Sequence, residues 1–196
     1  MKKLSSLMLL AGLLISVSSC STEAPFKVNA QLTSPYVTNE QTQKDSDTAL
    51  AKRLNNILDD QIPNSEIKVV VDHYSVLLVG QVASSNDKAT AESICKKWPS
   101  TAQVLNYLTI VSPPNSPPLN TNSSISSDVK NLVEAKYDLD PNAIQIITVD
   151  NVVYIFGTNV GNLSALNDVI KNTYSINKVQ KVVNLEQKGD QDYTTE

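Results

Sequence analysis

Val76-Leu77-Leu78-Val79-Gly80-Gln81-Val82 is an apolar run broken by a glycine, and 77 positions further on Val153-Tyr154-Ile155-Phe156-Gly157 repeats it. Such β-branched and aromatic runs read as strands. A glycine inside a strand costs stability, so each one signals a bulge or a close backbone approach. Gly80 and Gly157 are two of only five glycines in the chain, and their matching placement points to a duplication.

Working outward, both copies carry the same flanks. A β-branched segment precedes each run, Ile67 to Val71 and Ile144 to Val149. Turns around Asp72 to Ser75 and at Asp150-Asn151 lead into the second strands, Val76 to Val82 and Val152 to Val160. Further upstream, Leu50, Leu54, Ile57 and Leu58 have the i, i+4, i+7, i+8 spacing of one helical face, as do Ile125, Val129, Leu132 and Val133. Downstream, a second helix is expected in each copy, with Ala89, Ile94 and Trp98 matching Ala165, Ile170 and Tyr174 at an offset of 76. Trp98 and Tyr174 are expected to close the cores beneath those helices. The last strands carry Val104-Leu105-Asn106 and Val182-Val183-Asn184 at an offset of 78. The chain is therefore expected to be α+β, with two tandem αββαβ units of about 65 residues. Each is a small three-stranded mixed sheet with two helices on one face. A domain that small buries only about 60% of its unfolded surface, so packing the copies together would stabilise both.

The remainder of the chain delivers and tethers these units. Lys2 and Lys3, an apolar run from Leu7 to Val17 and the small residues Ser18 and Ser19 have the order of a secretory signal. The apolar part reaches about 15 Å as a helix, half the thickness of a bilayer core, and cannot span. Val17-Ser18-Ser19-Cys20 resembles the lipobox of bacterial lipoproteins. That resemblance implies cleavage after Ser19 and acylation of Cys20, and several acyl chains make attachment effectively permanent. Ser21 follows, where an aspartate would retain a lipoprotein in the inner membrane of enteric-type bacteria, and this favours the outer membrane. Residues 20–45 read as a lipidated cysteine and flexible tether. Residues 112–123, with four of the nine prolines, read as a semi-rigid linker, and 188–196 as a polar tail.

Charge and composition exclude several classes of function. The formal charge is −4, and loss of Lys2 and Lys3 with the signal would leave 14 basic against 20 acidic residues. That argues against nucleic acid as a partner. Two cysteines and one histidine are too few for a Cys/His zinc cluster, and no metal or cofactor is expected. With Cys20 acylated, Cys95 is the remaining thiol and reads as a small buried apolar residue.

The hydrophobic run, its glycine and the closing V-x-N strands resemble the BON domain, once over roughly 46 to 111 and again over 124 to 187. Lipobox, tether and two such domains together resemble the dual-BON outer-membrane lipoproteins of the DolP (YraP) type. Departures are Pro99-Ser100-Thr101 and Ser175-Ile176-Asn177, where the family usually has a glycine turn. The resemblance implies a non-enzymatic role: maintaining outer-membrane integrity from the periplasmic side, with the domains on phospholipid surfaces or envelope proteins. Neither copy carries a basic excess, since six basic residues face seven acids in 46–111 and five lysines face seven acids in 124–187. For contact with a membrane or partner the candidates are Ile125 and Tyr137, at the ends of the first helix of copy two. That stripe also reads as an ordinary core face.

The chemistry-bearing residues read as ordinary surface. His73 lies in a hairpin turn between Asp72 and Tyr74, and no G-x-S-x-G elbow supplies a nucleophile for a triad. Asp59-Asp60 and Asp138 with Asp140 sit near helix ends without the spacing of a calcium loop. No catalytic residue is expected. The alternative function is a structural lipoprotein subunit of an envelope-spanning secretion or pilus machine; a hydrolase has the least support.

Overall fold

The computed structural model describes residues 39–111, 123–136 and 138–187, and its element order is two αββαβ units. The first comprises α1 (Asn39–Gln61), β1 (Glu66–Asp72), β2 (Ser75–Val82), α2 (Ser85–Lys96) and β3 (Gln103–Ile110). The second comprises α3 (Ser123–Glu134), β4 (Ile144–Val149), β5 (Val152–Thr158), α4 (Leu163–Thr173) and β6 (Lys181–Gln187). Each unit has a three-stranded mixed sheet with the hairpin-plus-crossover order β1-β2-β3 or β4-β5-β6. The hairpin pair is antiparallel, and the strand delivered by the helical crossover is parallel to the central one.

The local chemistry explains these elements. Two-residue hairpins need left-handed backbone at both turn positions. His73 and Tyr74 have φ of 46° and 61°, and Asp150 and Asn151 have 50° and 64°. Asp and Asn tolerate this region; His and Tyr do so less readily. Their turn is held by Asp47 of α1, whose carboxylate accepts from both backbone amides at 2.8 and 3.0 Å. α1 ends where Pro63 cannot continue it and Asn64 turns left-handed at φ 67°. α2 and α4 start on side-chain caps, Ser84 accepting from the Asp87 amide and Asn162 from those of Ser164 and Ala165.

Side chains along the strands alternate between two faces, and each face packs into a core. In the first sheet, Val69, Val71, Val76 and Leu78 join Leu50, Leu54 and Leu58 of α1 and Ala91 and Cys95 of α2. In the second, Val153, Ile155 and Val182 join Ile125, Val129 and Val133 of α3 and Leu166 and Val169 of α4. The opposite faces also form a core: Val70, Leu77 and Val79 of one sheet pack with Ile147, Val149, Tyr154, Phe156 and Leu185 of the other. The unit spanning Val37–Glu196 is thus a helix–sheet–sheet–helix sandwich in which β2 and β5 are buried on both sides.

Three readings of the sequence change. Helix α1 begins at Asn39, inside the stretch 20–45 that reads as a tether. It lacks apolar periodicity there, and side-chain bonds from Gln41 to Asp45 at 3.0 Å and from Gln43 to Asp47 at 3.1 Å bridge successive turns instead. Ser123, assigned to the linker 112–123, is the first residue of α3. The second helices match at an offset of 78 rather than 76. The caps Ser84 and Asn162 are 78 apart, as are the buried pairs Ala91 with Val169 and Cys95 with Thr173. From the matched glycine to the cap the second unit has one residue more, Gly157 to Asn162 against Gly80 to Ser84, which displaces the frame. Trp98 therefore matches Ile176, and both pack on their cores, whereas Tyr174 is 54% exposed and Ala89 is exposed.

Candidate functional site

The chemistry-bearing side chains gather where the two units meet. At the base of the first hairpin Asp72, 9% exposed, accepts a hydrogen bond of 2.6 Å from Thr158 at the end of β5. In the other unit Gln81 Nε2 donates to Asp150 Oδ2 at 2.8 Å, one position further into the matching hairpin turn. Gln81 and Thr158 are 77 positions apart, as are the glycines before them, and each reaches the hairpin end of the opposite unit. That reciprocity is the mark of an isologous contact, here made within one chain. Gln145 Nε2 adds a bond to the Val71 carbonyl at 2.9 Å, and Ser75 Oγ one to Gln187 Oε1 at 2.7 Å. Between these polar ties the rings of Tyr107 and Tyr154 meet edge to face at 5.6 Å. Burial, with Tyr107 and Asp150 adding to it, pushes the Tyr154 hydroxyl pKa up.

One group of metal-capable donors lies on this seam among the described residues. Oxygens of Asp47 and Asp72 and a ring nitrogen of His73 lie within 4.8 Å of one another. They line a cavity of about 290 Å³ whose opposite wall includes Asp140, Thr158 and Asn159 of the second unit. The carboxylates already have partners: Asp47 takes the two turn amides and Gln43, and Asp72 Oδ2 takes Thr158 and faces His73 Nδ1 at 3.2 Å. In this arrangement they hold the turn and tie the two units together.

The residues singled out from sequence scatter. Ile125 is 2% exposed in the core beneath α3, so it presents no surface to a membrane or partner and is corrected to a packing residue. Tyr137, Ser19 and Cys20 lie outside the described residues. His73 is exposed in its turn, as are Asp59, Asp60 and Asp138; Asp140 closes its own loop by accepting from the Asn142 amide at 2.9 Å. Cys95 is fully buried, which pushes its thiol pKa up to about 12 and leaves it inert. The seam residues Gln81, Thr158, Gln145 and Gln187 went unread. The signal for them is the unbroken apolar run of the central strands, since a strand with one wet face alternates.

The BON family model matches residues 46–112, covering α1 from its eighth residue through β3. A BON domain is detected in this segment. Asp47, the hairpin and Gly80 all lie inside the BON domain, while Thr158, Asp150 and Gln187 reach it from the second unit. No curated protein matches the chain in sequence. Two solved chains of CdsD, a structural protein of the type III secretion system of Chlamydia trachomatis, are similar to it. One is 9% identical over 72% of this chain and 94% of that one, with a TM-score of 0.28. The other, the C-terminal domain, is 11% identical over 71% and 64%, with a TM-score of 0.27. At these scores neither likeness bears on function.

Proposed function

We propose that this chain is a non-enzymatic lipoprotein of the outer membrane, facing the periplasm, in which the BON domain and a second, BON-type unit act as one body. It is held by acyl chains on Cys20, binds phospholipid surface or envelope proteins, and maintains the membrane as a barrier, in the manner of the DolP type. The observation that carries this reading is the match of 46–112 to a BON domain, a module associated with membranes, joined to a second unit of the same strand order. The signal and lipobox sequence supports the anchor. Since the inner sheet faces are consumed in the seam, the outward faces available to a partner are those of the four helices. Two of the BON domain's lysines are already engaged, Lys88 with the Leu108 carbonyl at 2.7 Å and Lys96 with Glu92. Attraction to anionic lipid is correspondingly weak, and the acyl anchor supplies most of the attachment.

The test is deletion of the gene followed by uptake of a large hydrophobic antibiotic, together with the cell fraction that holds Cys20→Ala protein. Increased uptake, restored by the wild-type gene but not by Cys20→Ala, is the expected result. Unchanged uptake, or isolation of the protein in a stoichiometric envelope-spanning assembly, overturns the barrier role.

A further inference from the structure

The last strand of the BON domain, β3, runs Gln103-Val104-Leu105-Asn106-Tyr107-Leu108-Thr109-Ile110. It carries no charge, proline or glycine, the composition that pairs most readily with a strand of another chain. Among the described residues it is an outer strand of its sheet, and Ile110 at its end is 48% exposed. Edge strands are commonly blunted by charges of their own. The matching strand of the second unit, β6, has them in Lys181 and Glu186.

What β3 lacks, α2 supplies. Successive residues of a strand turn their backbone groups to opposite sides. Val111 donates to the Val82 carbonyl of β2 at 2.9 Å, so Leu108, three residues earlier, turns its amide and carbonyl away from β2. Side chains occupy both groups: Asn106 Oδ1 accepts from the amide at 3.2 Å, and Lys88 Nζ of α2 donates to the carbonyl at 2.7 Å. Asn106 is fixed in that orientation because its Nδ2 donates to the Lys88 carbonyl at 3.1 Å and to Glu92 Oε2 at 3.0 Å. The amide cap recurs at the offset of 78, where Asn184 Oδ1 accepts from the Glu186 amide at 3.1 Å. The carbonyl cap does not, since Lys88 corresponds to Leu166 and Glu92 to Ile170, both packed in the second core. The lysine therefore stands over the strand without charges and is replaced where the strand has its own.

We propose that Asn106 and Lys88 close the edge of β3 to strand addition by a second copy of this chain. The outward residues of β3 are Val104, Asn106, Leu108 and Ile110, so withdrawing Leu108 breaks the ladder that another strand needs. A β3 edge meeting its own copy would also bring two Lys88 ammonium groups onto one ladder, where like charges repel.

This assignment stands apart from the membrane role and is tested without it. The full chain and its Asn106→Val, Lys88→Met double variant are compared in the same mild detergent. Sedimentation velocity is expected to show the variant as a dimer or larger at concentrations where the wild-type mass stays constant. In dilute solution the variant's Leu108 amide is expected to exchange hydrogen about tenfold faster than in the wild type, with the Tyr107 and Thr109 amides, which face β2, unchanged. Adding Ile110→Lys, which places a charge on the opened edge, is expected to return the variant to the wild-type mass. A double variant that sediments like the wild type overturns the proposal, as does association that persists with Ile110→Lys. Should the double variant lose its fold, Lys88→Met alone, which keeps the aliphatic stem, is judged by the same change of mass and its reversal by Ile110→Lys.

Discussion

Asp47 shows how much one residue outside the strands contributes. It is 5% exposed, and its carboxylate satisfies the amides of His73 and Tyr74 in a turn neither residue favours. Replacing it by alanine removes two hydrogen bonds from the turn amides to a carboxylate, a cost of about 1.5–3 kcal/mol. Asp47→Ala is therefore expected to lower the midpoint of thermal unfolding by several degrees. Exchanging His73-Tyr74 for Asn-Gly, which suits the turn, should recover part of that loss. Recovery by calorimetry identifies the turn as the cause; a variant that melts like the wild type refutes the role given to Asp47. At this scale the sequence was only partly legible. The hairpin position of His73 and the burial of Cys95 could be read locally. The partner of the turn, 26 positions upstream in a polar helix, could not, because nothing in a hydrophilic stretch distinguishes a docked aspartate from a solvated one.

Among elements, the central strands carried most of the fold and withheld one fact. Of their two glycines only Gly157 is the close approach expected of both; Gly80 keeps the ladder register and is there for its backbone angle. Gly80 sits at φ 127°, where a side chain is strained, while a Cβ on Gly157 would lie 1.9 Å from the Ala143 carbonyl oxygen. Gly157→Ala must push the α3–β4 loop away from β5, and a loss of about 3 kcal/mol is expected from urea unfolding. Wild-type stability in that variant would show that the loop is free to move. The helix faces and strand order followed from periods of 3.6 and 2, which depend on short-range spacing alone. The 78-residue match of the second helices did not, because Trp98 and Tyr174 share an aromatic character that outweighed the one-residue loop difference. The continuous run Val76–Val82 also held the information that both its faces are dry.

At the scale of the whole molecule, the reciprocal ties of Gln81 to Asp150 and of Thr158 to Asp72 make the seam resemble a homodimer interface enclosed in one chain. A BON domain cut from this context would expose Val70, Leu77 and Val79 together with half-buried Leu105 and Tyr107. An isologous surface can satisfy itself, so the isolated segment 46–112 is expected to sediment as a dimer, and Leu77→Asp to abolish that association. Within the full chain the same core makes the two units interdependent. Phe156 is completely buried between the sheets, and Phe156→Ala should cost about 3–5 kcal/mol. Because Leu77 shares that core from the other sheet, Leu77→Ala and Phe156→Ala should couple by about 0.5–3 kcal/mol in a double-mutant cycle. Additive losses, or two separate unfolding transitions in the wild type, would show that the units fold without one another. A single transition with coupled losses makes the sandwich, rather than either αββαβ unit, the element that folds.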